Sequence, residues 1–162
     1  MGLDFKKILC PVDLSRFSLD ALRLAVNVAD ASGATLDILH VIFDDIYLTE
    51  ITQTDPALID AYATEPQRRA EIVRATEERL EVFLKQFCHD VVQHHGNVRY
   101  HVRRGDPFEE ILETTEDLMT DLVVLATHGR TGIKRLVIGS VAEKIVRHAR
   151  CPVMTVKPKP VS

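Results

Sequence analysis

The residues best suited to chemistry in this sequence lie between Ala126 and Ser140. The segment contains Ala126-Thr127-His128-Gly129-Arg130-Thr131-Gly132, and Gly139-Ser140 stands at the front of an apolar, helix-patterned stretch. Glycine lets backbone N–H groups approach phosphate oxygens, and a helix N-terminus adds unpaired donors and the positive end of its dipole. The segment therefore predicts an anion-binding loop.

Particular groups of this loop are the predicted phosphate ligands. The donors are the N–H groups of Gly129 and Gly139 and those that follow Ser140, with the Ser140 hydroxyl as an added ligand. Arg130 or Lys134 is a candidate for the neutralising charge.

A capped helix without a ligand is the alternative interpretation. Ser140-Val141-Ala142-Glu143 fits the capping-box pattern, in which the two side chains satisfy the first N–H groups of a helix. The two interpretations are compatible, because a capped helix still offers N–H groups to phosphate. The connection from Ala126 to Ser140 is longer than an ordinary loop between strand and helix, which favours a functional role.

Asp13 is the second residue of interest, because it follows directly on a short apolar strand, Lys6 to Val12. Its carboxylate can accept hydrogen bonds from an adenine amino group or a ribose hydroxyl, or it can merely cap the next helix. Both interpretations remain open from the residues alone. An open α/β sheet would bring Asp13 beside the glycine loop at its carboxyl edge.

Catalytic and metal sites are not predicted. His128 lacks a Ser or Cys nucleophile with a partnered acid at a recognisable spacing, which favours a packing or backbone-ordering role. His89, His94 and His95 have no acidic or cysteine companions at a familiar metal-binding spacing. The sequence also lacks a Gly-x-x-x-x-Gly-Lys-Ser/Thr loop and a dinucleotide fingerprint, which disfavours a Walker ATPase and an NAD enzyme.

The elements that position these residues follow from hydrophobic periodicity. Apolar runs predict strands at 6–12, 34–42, 97–104, 121–126 and 152–157, and the alternating pattern of 97–104 predicts a sheet edge. Helical spacing predicts helices from Ser15 to Gly33, from Pro66 to about Cys88, after Asp106-Pro107 and at 140–149. Five strands that alternate with four helices predict a Rossmann-like, doubly wound α/β fold with an open parallel sheet and helices on both faces.

Length and composition limit the function classes. The 162 residues suit one domain, 1–162, with a variable insertion at 44–65 and a frayed tail at 158–162. The formal charge of −4 argues against a nucleic-acid partner. The odd, dispersed cysteines Cys10, Cys88 and Cys151 indicate reduced thiols, and no apolar run approaches membrane-spanning length. We expect a cytoplasmic protein with no membrane partner.

With these residues in hand, the chain resembles a single-domain universal stress protein. The family motif is Gly-x-x-Gly, nine residues, then Gly-Ser/Thr, and here it is Ala126-Thr127-His128-Gly129, nine residues, then Gly139-Ser140, with Ala126 in place of the first glycine. Lys7-Ile8-Leu9-Cys10-Pro11-Val12-Asp13, Leu39-His40-Val41 and Ala149-Arg150-Cys151-Pro152-Val153 are similar to other family signatures.

The resemblance implies a ligand, a topology and an assembly. The ligand is an adenine nucleotide, ATP or AMP, with Mg²⁺ as a candidate companion ion, and the implied sheet order is 3-2-1-4-5. The implied assembly is a homodimer through the last strand, 152–157. The expected nucleotide contacts surround the base, ribose and phosphates: Pro11, Val12, Asp13, Val41, Ala126, Thr127, His128, Gly129, Arg130, Gly139, Ser140 and Val141.

The leading functional expectation is a nucleotide-binding stress-response or signalling module without fast catalysis. One alternative is a slow ATP hydrolase or phosphotransferase, against which the missing base and metal carboxylates count. Another is a dimeric interaction protein that binds no nucleotide.

Overall fold

The computed structural model describes residues 4–43, 62, 64–128 and 138–157. In these ranges strands alternate with helices along the chain. The strands are β1 (Lys7–Pro11), β2 (Thr35–Ile42), β3 (Val98–Arg104), β4 (Leu122–Ala126) and β5 (Val153–Val156). The helices are α1 (Arg16–Ser32), α2 (Pro66–Val92), α3 (Pro107–Asp117) and α4 (Ser140–His148). The predicted elements are confirmed, although α2 extends one turn beyond Cys88. The predicted 44–65 insertion lies outside the described residues except at its end, and the 158–162 tail lies wholly outside them.

The strands of the described chain form one parallel sheet in the order β3-β2-β1-β4-β5. This confirms the expected order and the edge position of β3. From β1 the chain moves outward to β3 and then returns to β4 on the other side of β1. The strand order therefore reverses between β1 and β4, and such a reversal opens a crevice at the carboxyl ends of the two strands.

The two faces of the sheet carry separate cores, as alternation along β1 illustrates. Ile8 packs with residues of α1 and α2, including Leu22 and Leu84. Its neighbour Leu9 packs with Ile111 of α3 and Ile145 of α4. The helices thus lie on both faces, and burial on both sides explains the nearly continuous apolar runs of the inner strands.

The helix ends confirm most of the predicted caps. The Ser15 hydroxyl accepts a hydrogen bond from the Ser18 N–H, and Asp106 accepts from the N–H groups of Phe108 and Glu109. Gly33 ends α1 in the left-handed region at φ 69°. No described helix is long and apolar enough to cross a membrane.

The capping box predicted at Ser140 is wrong. The N-cap of α4 is Gly139, and no side chain caps this helix. Ser140 already belongs to the helix as its first residue. The Glu143 carboxylate, which a capping box would turn back, instead forms an ion pair with Arg147 at 2.8 Å, one turn along the helix.

Candidate functional site

A cavity of about 400 Å³ lies at the carboxyl ends of β1, β2 and β4, where the strand order reverses. Every predicted site residue that the structure describes lines this cavity: Pro11, Val12, Asp13, Val41, Ala126, Thr127, His128, Gly139, Ser140 and Val141. The remaining predictions, Gly129 and Arg130, and the candidate cation Lys134 lie outside the described residues. The structure therefore brings two distant sequence segments to one place.

The apolar walls of the cavity include residues that the sequence analysis did not identify. Leu39 and Leu125 come from the strands, Ala142 from α4, and Pro107 and Ile111 from the first turns of α3. The strand residues could have been found by alternation from the predicted site residues Val41 and Thr127. The α3 residues Pro107 and Ile111 could not have been found in this way, because their position at the cavity depends on that helix crossing the sheet beside β2.

Asp13 is held by the serine that caps α1. Its Oδ1 accepts hydrogen bonds from the Ser15 N–H at 3.0 Å and from the Ser15 hydroxyl at 2.6 Å. Asp13 therefore orients the capping residue instead of capping the helix itself. Leu14 between them has a φ of 63°, which turns the chain sharply from β1 into α1.

The turn after β1 is fixed against β2 by His40. The Nδ1–H of this buried imidazole donates to the Val12 carbonyl at 2.8 Å, and the Val12 N–H donates to the Leu39 carbonyl at 2.8 Å. Val12 and Asp13 are thus anchored to the strand that carries Val41. This network preorganises the wall between β1 and β2.

Thr127 joins three elements beside the cavity. Its carbonyl accepts from the Gly139 N–H at 2.6 Å, and its own N–H donates to the Val156 carbonyl at 2.9 Å. The Thr127 hydroxyl donates to that same carbonyl at 3.2 Å and lies 2.9 Å from Nδ1 of His128. Thr127 therefore links the end of β4 to the start of α4 and to the edge strand β5.

The hydrogen bond from the Gly139 N–H to the Thr127 carbonyl changes which backbone N–H groups are available to bind phosphate. The Gly139 N–H, which the sequence suggested as a donor, is taken by the Thr127 carbonyl. The first backbone bond of α4 runs from the Glu143 N–H to the Gly139 carbonyl at 2.9 Å. Within the described chain, the N–H groups left open at this helix end are those of Ser140, Val141 and Ala142, which line the cavity.

Ala126 and Gly139, the two small residues of the motif, differ in the backbone conformation and the side-chain space at their positions. Among the described residues, φ is positive only at Leu14, Met119, Gly33 and Gly105, so the backbone of Ala126 is ordinary and carries a methyl group without strain. At Gly139, by contrast, an added Cβ would lie 3.1 Å from the Thr127 oxygen. The close approach of the Thr127 carbonyl oxygen explains why glycine stands at position 139.

The histidines occupy separate environments. The ring of His128 lies tilted against Phe17, with the centroids 6.4 Å apart, and the Arg16 guanidinium lies 5.0 Å from the centre of the Phe17 ring. Nδ1 of His95 lies 2.5 Å from Oδ1 of Asp30 in α1. In the described ranges, no three His, Cys, Asp or Glu side chains are grouped to hold a metal ion.

Comparisons with known proteins agree with this architecture. The model of the universal stress protein family matches residues 4–157. The universal stress protein MJ0531 of Methanocaldococcus jannaschii is 30% identical over 157 residues, which span 94% of this chain and 82% of that protein. Universal stress protein A homolog 1 of Coxiella burnetii is 30% identical over 154 residues, or 95% and 97% of the two chains.

Solved structures share the fold at lower identity. The match to MJ0577 of M. jannaschii has a TM-score of 0.74 and 24% identity, and covers 98% of this chain and 100% of that one. An Arabidopsis thaliana family protein with AMP bound has a TM-score of 0.56 and 20% identity, with coverage of 96% and 93%. A universal stress protein in complex with cAMP has a TM-score of 0.59 and 18% identity, with coverage of 97% and 100%.

Proposed function

The chain belongs to the universal stress protein family, and from that premise we propose that its cavity binds an adenine nucleotide, ATP or AMP. One observation carries the proposal: apolar walls and an open helix N-terminus meet in a single cavity at the reversal of the strand order. Apolar walls suit a base, and unpaired N–H groups suit phosphate. The protein then acts as a stress-response or signalling module in which the bound nucleotide alters a partner surface.

The described residues suggest how the nucleotide lies. The base packs between Val41, Leu39 and Ile111 in the apolar part of the cavity. The ribose lies beside the Asp13 carboxylate, which can accept hydrogen bonds from its hydroxyls. The phosphates face the N–H groups at the start of α4 and the Ser140 hydroxyl.

The structural relatives support an adenine ligand. One neighbour is a complex with cAMP and another has AMP bound. ATP would bring Mg²⁺ as its own counter-ion, held by the phosphate oxygens.

A proline at position 140 tests the phosphate contacts directly. Proline is tolerated at the first position of a helix, and Gly139, with φ −58° and ψ 147°, has the extended backbone that a residue before proline needs. Ser140→Pro removes one N–H and the hydroxyl, whereas Ser140→Ala removes the hydroxyl alone. We expect Ser140→Pro to weaken ATP binding roughly ten-fold more than Ser140→Ala, as the loss of one charge-assisted hydrogen bond requires.

The measurement is equilibrium binding of labelled ATP and AMP, with mass spectrometry of any ligand released on denaturation of the purified protein. Thermal unfolding of both variants controls for helix stability. If the wild-type protein bound neither nucleotide, the nucleotide site would be wrong and a dimeric interaction protein without nucleotide would become the better description.

The proposal includes a homodimer that forms through β5. This strand lies at an edge of the sheet and presents apolar side chains, and an uncovered edge of this kind favours pairing with a second strand. The proposed location is the cytoplasm, because Cys10, Cys88 and Cys151 are all free thiols, as in proteins of reducing compartments.

A further inference from the structure

Arg16 is placed unusually for a cation. It is the first residue of α1, where the positive end of the helix dipole disfavours a positive side chain. The first turn of α1 carries no acidic residue that would offset this charge. No carboxylate in the described chain lies within ion-pair distance of the Arg16 guanidinium. Helix stability and ion pairing therefore do not account for this arginine.

Arg16 is exposed and does not itself line the cavity, but its ring contact connects it to residues that do. Its guanidinium lies 5.0 Å from the centre of the Phe17 ring, a cation–π contact. The Phe17 ring packs against His128, which lines the cavity next to Thr127, the residue bonded to the start of α4. Asp13 and Ser18, which flank Arg16 in sequence, also line the cavity.

The local charge balance gives this cation a role. A polyphosphate bound here would lie close to the Asp13 carboxylate, whose charge opposes it. The N–H groups at the start of α4 can serve the phosphate nearest the ribose, but each added phosphate brings further negative charge. An arginine fork binds phosphate oxygens in pairs, and stacking on Phe17 restricts the guanidinium before the ligand arrives.

We propose that Arg16 binds the distal phosphates of the nucleotide and so sets a preference of this site for ATP and ADP over AMP. This inference rests on the proposed nucleotide site and specifies its ligand class as a nucleoside polyphosphate. Arg16 acts there as a specificity-determining residue, with Phe17 as its positioning partner.

Nucleotide affinities of matched variants test the inference. Binding of ATP, ADP and AMP is measured by calorimetry for the wild type, Arg16→Gln, Arg16→Lys and the control Arg23→Gln, which removes the same charge two turns along α1. We expect Arg16→Gln to weaken ATP binding about ten-fold and to leave AMP binding within about two-fold. Arg16→Lys should retain part of the preference, because it keeps the charge and loses the fork.

Two further measurements separate this role from a structural one. Arg16→Gln should leave the unfolding temperature unchanged or slightly raised, because it removes a cation from a helix N-terminus. The ATP affinity of Arg16→Gln should depend less on salt than that of the wild type.

Different results would overturn the role of Arg16 and the nucleotide site itself. Equal loss of AMP and ATP affinity in Arg16→Gln, or an equal effect of Arg23→Gln, would overturn the role of Arg16 while the nucleotide site stands. Unchanged ATP affinity in Arg16→Gln would do the same. Failure of the wild type to bind any of the three nucleotides would overturn both proposals.

Discussion

The N–H of Gly139 donates a 2.6 Å hydrogen bond to the carbonyl of Thr127. This bond ties the first turn of α4 to the end of β4 and brings together the two ends of the long connection between them. The bond also occupies the Gly139 N–H, so this donor of the motif is not available to a bound phosphate. The donors that remain open toward the cavity are set in place by it, because they follow Gly139 directly in the helix.

Gly139→Ala is predicted to weaken ATP binding more than it weakens the fold. The new Cβ would lie 3.1 Å from the Thr127 oxygen, so the start of α4 must shift by a few tenths of an ångström. We expect a loss of about 1 kcal/mol in unfolding free energy, from this contact and from the poorer N-cap. The displaced N–H groups should lower ATP affinity roughly ten-fold.

The matched control is Gly96→Ala, since a Cβ at Gly96 meets nothing within 4 Å. This variant should bind ATP like the wild type. Titration calorimetry and urea unfolding measure both effects. ATP affinity in Gly139→Ala equal to that of the control would contradict the role assigned to this close approach.

Thr155→Pro is predicted to convert the proposed homodimer to a monomer. The Pro152 carbonyl accepts a bond from Val123 of β4, and the Val156 carbonyl accepts one from Thr127, directly after β4. Because backbone groups alternate in direction along a strand, those of Thr155 point to the free edge. Proline there removes an outward donor and is compatible with an edge strand. Thr155→Val keeps the donor and serves as the control.

Light scattering coupled to size exclusion should give half the wild-type mass for Thr155→Pro and the full mass for Thr155→Val. ATP binding should persist in both variants, because β5 does not line the cavity. A dimer that survives in Thr155→Pro would place the interface on another surface.

Met119→Gly is predicted to stabilise the protein. Met119 has a φ of 51° in the turn after α3, and 71% of the residue is exposed. Glycine relieves about 1–2 kcal/mol of backbone strain and costs about 0.5–1 kcal/mol through the freer unfolded chain. The net gain, about 0.75 kcal/mol from the middle of the two ranges, is measurable by urea unfolding. Met119→Ala keeps the strain and should match the wild type; an equal gain in Met119→Ala would rule out strain as the cause.

Stability is predicted to fall with rising pH through the buried thiols. Burial raises the pKa of Cys88 from 9.0 to about 12, and burial also raises the pKa of Cys10. Between pH 9 and pH 12 the unfolded chain releases the Cys88 proton while the folded chain retains it, so this contribution is complete below pH 9 and is lost above it. Each such thiol lowers the unfolding free energy by up to about 1.4 kcal/mol per pH unit.

Cys88→Ala should therefore show a shallower decline of unfolding free energy between pH 9 and pH 11, although it is less stable at pH 7 because it loses packing. Val92→Ala, also a buried truncation on α2, removes no ionisable group and should keep the wild-type slope. Identical slopes in Cys88→Ala and Val92→Ala would show that Cys88 does not titrate in this window.

Local patterns were enough to predict the elements, whereas the resemblance to the universal stress protein family implied many of the cavity residues. The period-two pattern of 97–104 predicted β3 at an edge, and Asp106-Pro107 predicted the start of α3. Ser15 was recognisable as a cap because capping depends on residues within one turn. The capping box at Ser140 was wrong because the helix begins one residue earlier than the pattern placed it: Gly139 is the N-cap and Ser140 is already helical.

The sequence by itself determined which segments are strands and helices, because burial on one or both faces leaves a periodic trace along the chain. Tertiary structure alone decided which groups meet at the cavity. The bond from Gly139 to Thr127, the contact of Phe17 with His128 and the arrival of Pro107 beside β2 each join elements that are remote along the chain. Such contacts depend on the strand order and on helix packing across the sheet, and local periodicity carries no record of either.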